Sequence, residues 1–171
     1  MAAPGHGSGS LAALTAVFVV VTDQASKALV RTGIPRGEDR DLILGARLVH
    51  VRNDGVAFGQ LGGSGALVGI VVAAALIGLL AYFALHRETP LIWLPTGLLL
   101  GGALGNLIDR LNVGAVTDFV KLPHWPAFNV ADMAITVGVV ALLLVVELHA
   151  RRAGRATGDG PRRADGAEGR T

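Results

Sequence analysis

Asp118 and Asp132 stand fourteen positions apart, one at each side of a short connecting stretch, and each has apolar neighbours. Val116-Thr117-Asp118-Phe119-Val120 leads into the stretch and Asn129-Val130-Ala131-Asp132 leads out of it. Two carboxylates within about 3 Å share one proton, because two negative charges that close do not both form cheaply. Such a pair performs acid and base chemistry together. The ionised member takes a proton from water while the protonated member gives one to a carbonyl oxygen. Fourteen positions leave room for a loop that returns and brings the two acids face to face.

Other polar residues surround this pair, and several have an ordinary structural explanation. Asn129 with an acid three residues later matches a capping box and suits the positive end of a helix. Asp23 precedes Lys27 by four, the favourable order for a helical ion pair. Asn106, Asp109 and Arg110 fall at i, i+3 and i+4, on one face at the end of a helix. Ser26 beside Lys27 raises the possibility of a Ser/Lys nucleophile, but adjacent helical residues do not face one another. The chain has no cysteine, and its five histidines are scattered with none in an HExxH pair. No metal centre and no cofactor are therefore expected.

The elements that must hold these residues are apolar. Hydrophobic residues make up 51% of the 171 and charged residues 16%, below the roughly 25% charged residues of soluble domains. A net charge of +2, with no basic patch interleaved with aromatics, excludes nucleic acid as a partner. Four apolar runs, at about 11–30, 66–85, 91–108 and 129–148, are each long enough to cross a bilayer as a helix of about 30 Å. A cleaved signal peptide is the alternative for the first run, but it lacks a basic n-region and a clean cleavage site. The expected fold is thus membrane α-helical, with four transmembrane helices and membrane lipids around them.

Between the first two helices, Leu42-Ile43-Leu44 and Leu48-Val49-His50-Val51 read as short strands broken at Gly45, and Asn53-Asp54-Gly55 reads as a turn. They predict a small extracytoplasmic β-sheet there. Gly97, Gly101 and Gly105 give the small-xxx-small spacing of close helix packing. That packing can be satisfied within one bundle, so a monomer is expected. Residues 1–148 form a single membrane-embedded domain, and the Arg- and Gly-rich segment 149–171 is expected to be a disordered basic tail. Four spans and a basic tail place both termini in the cytoplasm. The arginines at 31, 36, 40, 47 and 52 run against that charge rule, which folded loops obey poorly.

Polar residues at membrane depth are costly and mark function, and here they fall into a known pattern. Asp23-Gln24-Ala25-Ser26-Lys27, Asn53-Asp54-Gly55-Val56-Ala57-Phe58-Gly59, Gly105-Asn106-Leu107-Ile108-Asp109-Arg110, Val116-Thr117-Asp118-Phe119 and Phe128-Asn129-Val130-Ala131-Asp132 occur in that order. The chain from about residue 11 to 148 resembles the lipoprotein signal peptidases, also called signal peptidase II. That resemblance implies an aspartic endopeptidase of the bacterial inner membrane, with its active site near the extracytoplasmic face. Its substrates would be prolipoproteins, cleaved before the diacylglyceryl-modified cysteine. It implies a catalytic dyad of Asp118 and Asp132. Asn53, Gly55, Asn106, Asp109, Arg110 and Asn129 would bind substrate or support the site, with Asp23 and Lys27 as a structural polar pair.

Two other classes compete. A small proton-coupled transporter would also carry intramembrane acids, but these acids cluster at helix ends and no broken-helix repeat is present. A non-enzymatic scaffold would need only the glycine face.

Overall fold

The computed structural model describes residues 6–54 and 65–156, with helix α1 (His6–Gly33), strands β1 (Asp39–Asp41) and β2 (Arg47–Asn53), helices α2 (Gly65–His86) and α3 (Trp93–Val113), strand β3 (Val116–Lys121) and helix α4 (Val130–Ala156). Gly55, the rest of the Asn53-Asp54-Gly55-Val56-Ala57-Phe58-Gly59 motif beyond it and residues 157–171 lie outside the described residues.

The bundle is inverted relative to a soluble protein. Phe18 and Leu29 on α1 are 71% and 72% exposed, while Asp23 and Lys27 on the same helix are fully buried. On α4 the exposed positions include Val137, Val140, Leu143 and Leu144. Apolar side chains outside and ionised ones inside is the distribution that lipid selects and water penalises. Among the described residues, α1 and α4 are long and apolar enough to cross a membrane, and Ala74–His86 of α2 forms a shorter apolar stretch.

Glycines set how closely the helices approach. A Cβ at Gly97 would lie 2.5 Å from Thr15 Cβ and 2.7 Å from the Ala12 carbonyl on α1. At Gly102 it would lie 2.5 Å from the Ala131 carbonyl on α4. One face of α3 therefore receives α1 and another receives α4, which makes α3 the centre of the bundle.

The sheet differs from the expected one. Leu42–Leu44 is not a strand but leads into the hairpin turn, and β1 lies just before it. Leu44 and Gly45 both have positive φ, at 58° and 76°, as a two-residue turn matching the strand twist requires. Ala46 N–H closes the turn on the Ile43 carbonyl at 3.1 Å. A third strand, β3, comes from between α3 and α4, in a stretch expected to be loop, and the antiparallel order is β1-β2-β3. A single unpaired strand such as β3 is stable only once it finds an edge, and β2 supplies one.

Helix α4 also runs eight residues past its expected end at 148. The tail was expected to be disordered from 149, but Arg151 and Glu147 pair at 2.6 Å with i,i+4 spacing and extend the helix to Ala156.

Candidate active site

Helix α3 ends at Gly114, whose φ of 78° caps it and turns the chain into β3. Val51 on β2 faces Asp118 on β3, and Asn53 faces Val116. Asn53 and Asp118 are thus diagonal neighbours on one face of the sheet. Asn53 Nδ2 donates to Asp118 Oδ2 at 2.9 Å. Beyond β3 the chain folds back, and Phe128 N–H donates to the Val120 carbonyl at 2.9 Å. That return delivers Asn129 beside Asp118, where Nδ2 donates to Asp118 Oδ1 at 2.7 Å.

Asn129 also begins α4. Its Oδ1 accepts from Asp132 N–H at 3.0 Å, and Asp132 Oδ2 accepts from Asn129 N–H at 3.2 Å. This is the reciprocal capping box expected from the spacing. The box does not exhaust the two residues. Asp132 Oδ1 accepts from Asn106 Nδ2 at 2.8 Å, and Asn106 Oδ1 accepts from Asn129 Nδ2 at 3.2 Å. Asp118 and Asp132 therefore sit in one hydrogen-bonded network with Asn129 and Asn106 between them.

Surroundings separate the two acids. Asp118 is almost fully buried and Asp132 only partly so. Burial pushes the Asp118 carboxyl up from its ordinary value, the nearby Asp132 charge adds in the same direction, and the donors Asn53 and Asn129 act against both. Asp132, in the first turn of α4, lies where the helix dipole favours negative charge.

Behind the acids lies a buried charge cluster. Lys27 Nζ stands 2.8 Å from Asp23 Oδ2 and 3.3 Å from Asp109 Oδ2, and donates to Asn106 Oδ1 at 2.9 Å. Arg31 reaches Asp109 at 2.6 Å. Two acids against two bases leaves the cluster neutral, which makes its burial tolerable. The cluster also places the site. Asp109 Oδ2 accepts from Thr117 N–H at 2.8 Å and so holds β3 one residue from Asp118. Asp23 Oδ1 accepts from Ala131 N–H at 2.9 Å, satisfying one of the free donors of α4 next to Asp132.

The predicted residues thus divide. Asn53, Asn106 and Asn129 touch the acids, while Asp109, Asp23 and Lys27 support them from behind. Arg110 donates to the Asn106 carbonyl within its own helix at 3.3 Å and touches neither acid. Ser26 Oγ donates back to the Asp23 carbonyl at 2.8 Å, and Lys27 is engaged elsewhere. Three residues escaped the sequence reading. Gln24 Nε2 donates to Asp109 Oδ1 and to the Gly105 carbonyl, and Thr117 accepts from Arg31 Nε at 3.0 Å. Arg31 carried a usable signal, since it continues the i,i+4 series from Asp23 and Lys27.

Comparison with known proteins identifies the family of the chain. Residues 15–148 match the family model described as signal peptidase (SPase) II. The lipoprotein signal peptidase of Moorella thermoacetica is 45% identical over 144 residues, covering 83% of this chain and 96% of that protein. That of Syntrophomonas wolfei is 43% identical over 137 residues, covering 80% and 92%. A solved structure titled as a bacterial membrane enzyme, at 1.9 Å resolution, superposes with a TM-score of 0.70 and 32% identity over 79% of this chain and 91% of that one. The apolar exterior, the buried charge cluster and these matches lead to one conclusion: the chain belongs to the signal peptidase II family of membrane peptidases.

Proposed function

We propose that this protein is an aspartic endopeptidase that removes the signal peptide from prolipoproteins, cutting immediately before the diacylglyceryl-modified cysteine. The observation that carries this reading is the joint hold of Asn129 and Asn106 on Asp118 and Asp132. Asp118, the buried acid, holds the shared proton. Asp132, the more accessible one, takes a proton from water, and the resulting hydroxide adds to the scissile carbonyl. Asp118 protonates the carbonyl oxygen as the tetrahedral diol forms. When the diol collapses, Asp118 takes back a proton from a diol hydroxyl as the carbonyl re-forms, and the proton gained by Asp132 goes to the leaving amine as the C–N bond breaks. The asparagines keep the acids oriented through both steps, and the chemistry needs no cofactor and no covalent intermediate.

In this reading α1, α2, α3 and α4 all span the cytoplasmic (inner) membrane, both termini are cytoplasmic, and the sheet and acids face the extracytoplasmic side. Water then reaches the acids while the lipid of the substrate stays in the bilayer. The glycine faces of α3 are filled within the bundle, so the protein acts as a monomer. The test is incubation of purified protein with lipid-modified precursor. The wild type should release the signal peptide. Asp118→Asn and Asp132→Asn should each lose about 10²–10⁴-fold or more in rate while still inserting and folding. Full activity in either variant would remove that acid from the reaction.

A further inference from the structure

A cavity of about 280 Å³ lies between the end of α1 and the sheet, and neither Asp118 nor Asp132 is among its lining residues. Arg31, Arg36, His50 and Arg52 line it over an apolar floor that includes Ile34 and Val113, and no carboxylate is among its lining residues. Three guanidiniums around one cavity repel one another unless an anion sits among them.

The arginines differ in how far they are already engaged. Arg31 is tied to Asp109 and Thr117. Arg52 pairs with Asp54 at 2.8 Å, but both partners are open to solvent, so the pair is weak and easily exchanged. Arg36 is exposed and forms no ion pair among the described residues. His50 Nδ1 lies 2.8 Å from the Ile34 carbonyl. A carbonyl only accepts, so Nδ1 carries a proton there, and the ring's contact with Ile34 fixes one wall of the cavity.

We propose that this cavity binds a phosphate group. A tetrahedral phosphate offers oxygens in several directions and can accept from more than one guanidinium, whereas a carboxylate offers a single plane. The volume falls just below the roughly 300–1,000 Å³ of pockets for drug-sized ligands, which suits a compact headgroup and not a whole lipid. Two sources share this chemistry: the headgroup of an anionic phospholipid, and free phosphate. The cavity sits at the C-terminal end of α1, a helix long enough to cross a bilayer, and so at the depth where headgroups lie. The proposal is independent of the peptidase reading, because it concerns binding alone.

The test uses the full chain in detergent, as wild type and as the Arg36→Gln/Arg52→Gln double variant. Native mass spectrometry compares retained phosphatidylglycerol with retained phosphatidylcholine, and thermal unfolding compares inorganic phosphate with chloride at equal ionic strength. Preferential retention of phosphatidylglycerol, weakened about tenfold or more in the double variant, identifies a lipid headgroup. A rise in Tm with phosphate that the double variant lacks, without lipid preference, identifies the free anion. Should the double variant fail to fold, Arg36→Gln alone carries the test, since that side chain is exposed and unpaired among the described residues, and it should show part of the same loss. Neither effect in the wild type, or either effect unchanged in the variants, overturns the proposal.

Discussion

Asn129 donates to Asp118 at 2.7 Å from the same side chain that caps α4 through Asp132. One residue therefore couples the start of a helix to the setting of an acid on a neighbouring strand. Asn129→Ser should separate the two duties. Serine retains a capping oxygen but does not supply the amide donor, so Tm should stay near the wild type while the cleavage rate falls by about tenfold or more. Asn129→Ala should lose the rate and also about 1 kcal/mol of stability from the missing cap. Wild-type turnover in Asn129→Ser would show that the donor to Asp118 is dispensable.

The pH dependence follows from the burial of Asp118. Its carboxyl is raised above 3.8, so the folded protein binds that proton more tightly than the unfolded chain. The associated stability is fully present below pH 3.8 and is lost as pH rises through the raised value. The dyad works with one proton, so the alkaline limb of the kcat/KM profile should lie above the ordinary carboxylate range. Asn53 donates to Asp118 and opposes the shift. Asn53→Ala should therefore move that limb to still higher pH, and a limb that moved down would contradict this assignment of the proton.

Removing the buried ammonium should be expensive. Lys27→Met leaves Asp23 without a cation and Asp109 with Arg31 alone, and a broken buried pair costs about 3–5 kcal/mol. Adding Asp23→Asn removes the stranded charge. The double variant should therefore unfold at a higher temperature than Lys27→Met in a detergent melt. Simple addition of two losses would rule out the charge-balance account.

Two glycine substitutions should differ in what they damage. Gly102→Ala pushes on the Ala131 carbonyl and on Ile135, beside Asp132, so it should lower the cleavage rate more steeply than it lowers Tm. Gly97→Ala pushes on Thr15 and the Ala12 carbonyl, far along α1 from the acids. It should lower Tm and leave kcat in the surviving folded fraction nearly intact. Equal effects of the two on kcat would show that α4 yields to the added methyl without moving Asp132.

Much of this protein is written locally in its sequence. The apolar runs, the Asp23–Lys27 pair and the Asn129–Asp132 capping box all follow from helical spacing, because residues three or four apart meet on any α-helix whatever surrounds it. Helix ends and the hairpin were less legible. Leu42–Leu44 has strand-forming composition, yet the twist of the flanking strands demanded a positive-φ turn there, and Glu147 with Arg151 prolonged α4 into a stretch whose composition reads as tail.

What the sequence could not determine is which distant residues meet. Asn53 reaches Asp118 only because β3 adds to the edge of β2, and Asp23 meets Ala131 across 108 positions only because α1 and α4 pack side by side on adjacent faces of α3. Arg110 shares a helical face by spacing with Asn106 and Asp109, yet it turns back on its own helix while they face Lys27. Spacing specifies the side chains of one turn, but contacts between elements depend on packing and loop closure over the whole chain. The two acids and their types were present in the sequence; their shared network exists only in the folded bundle.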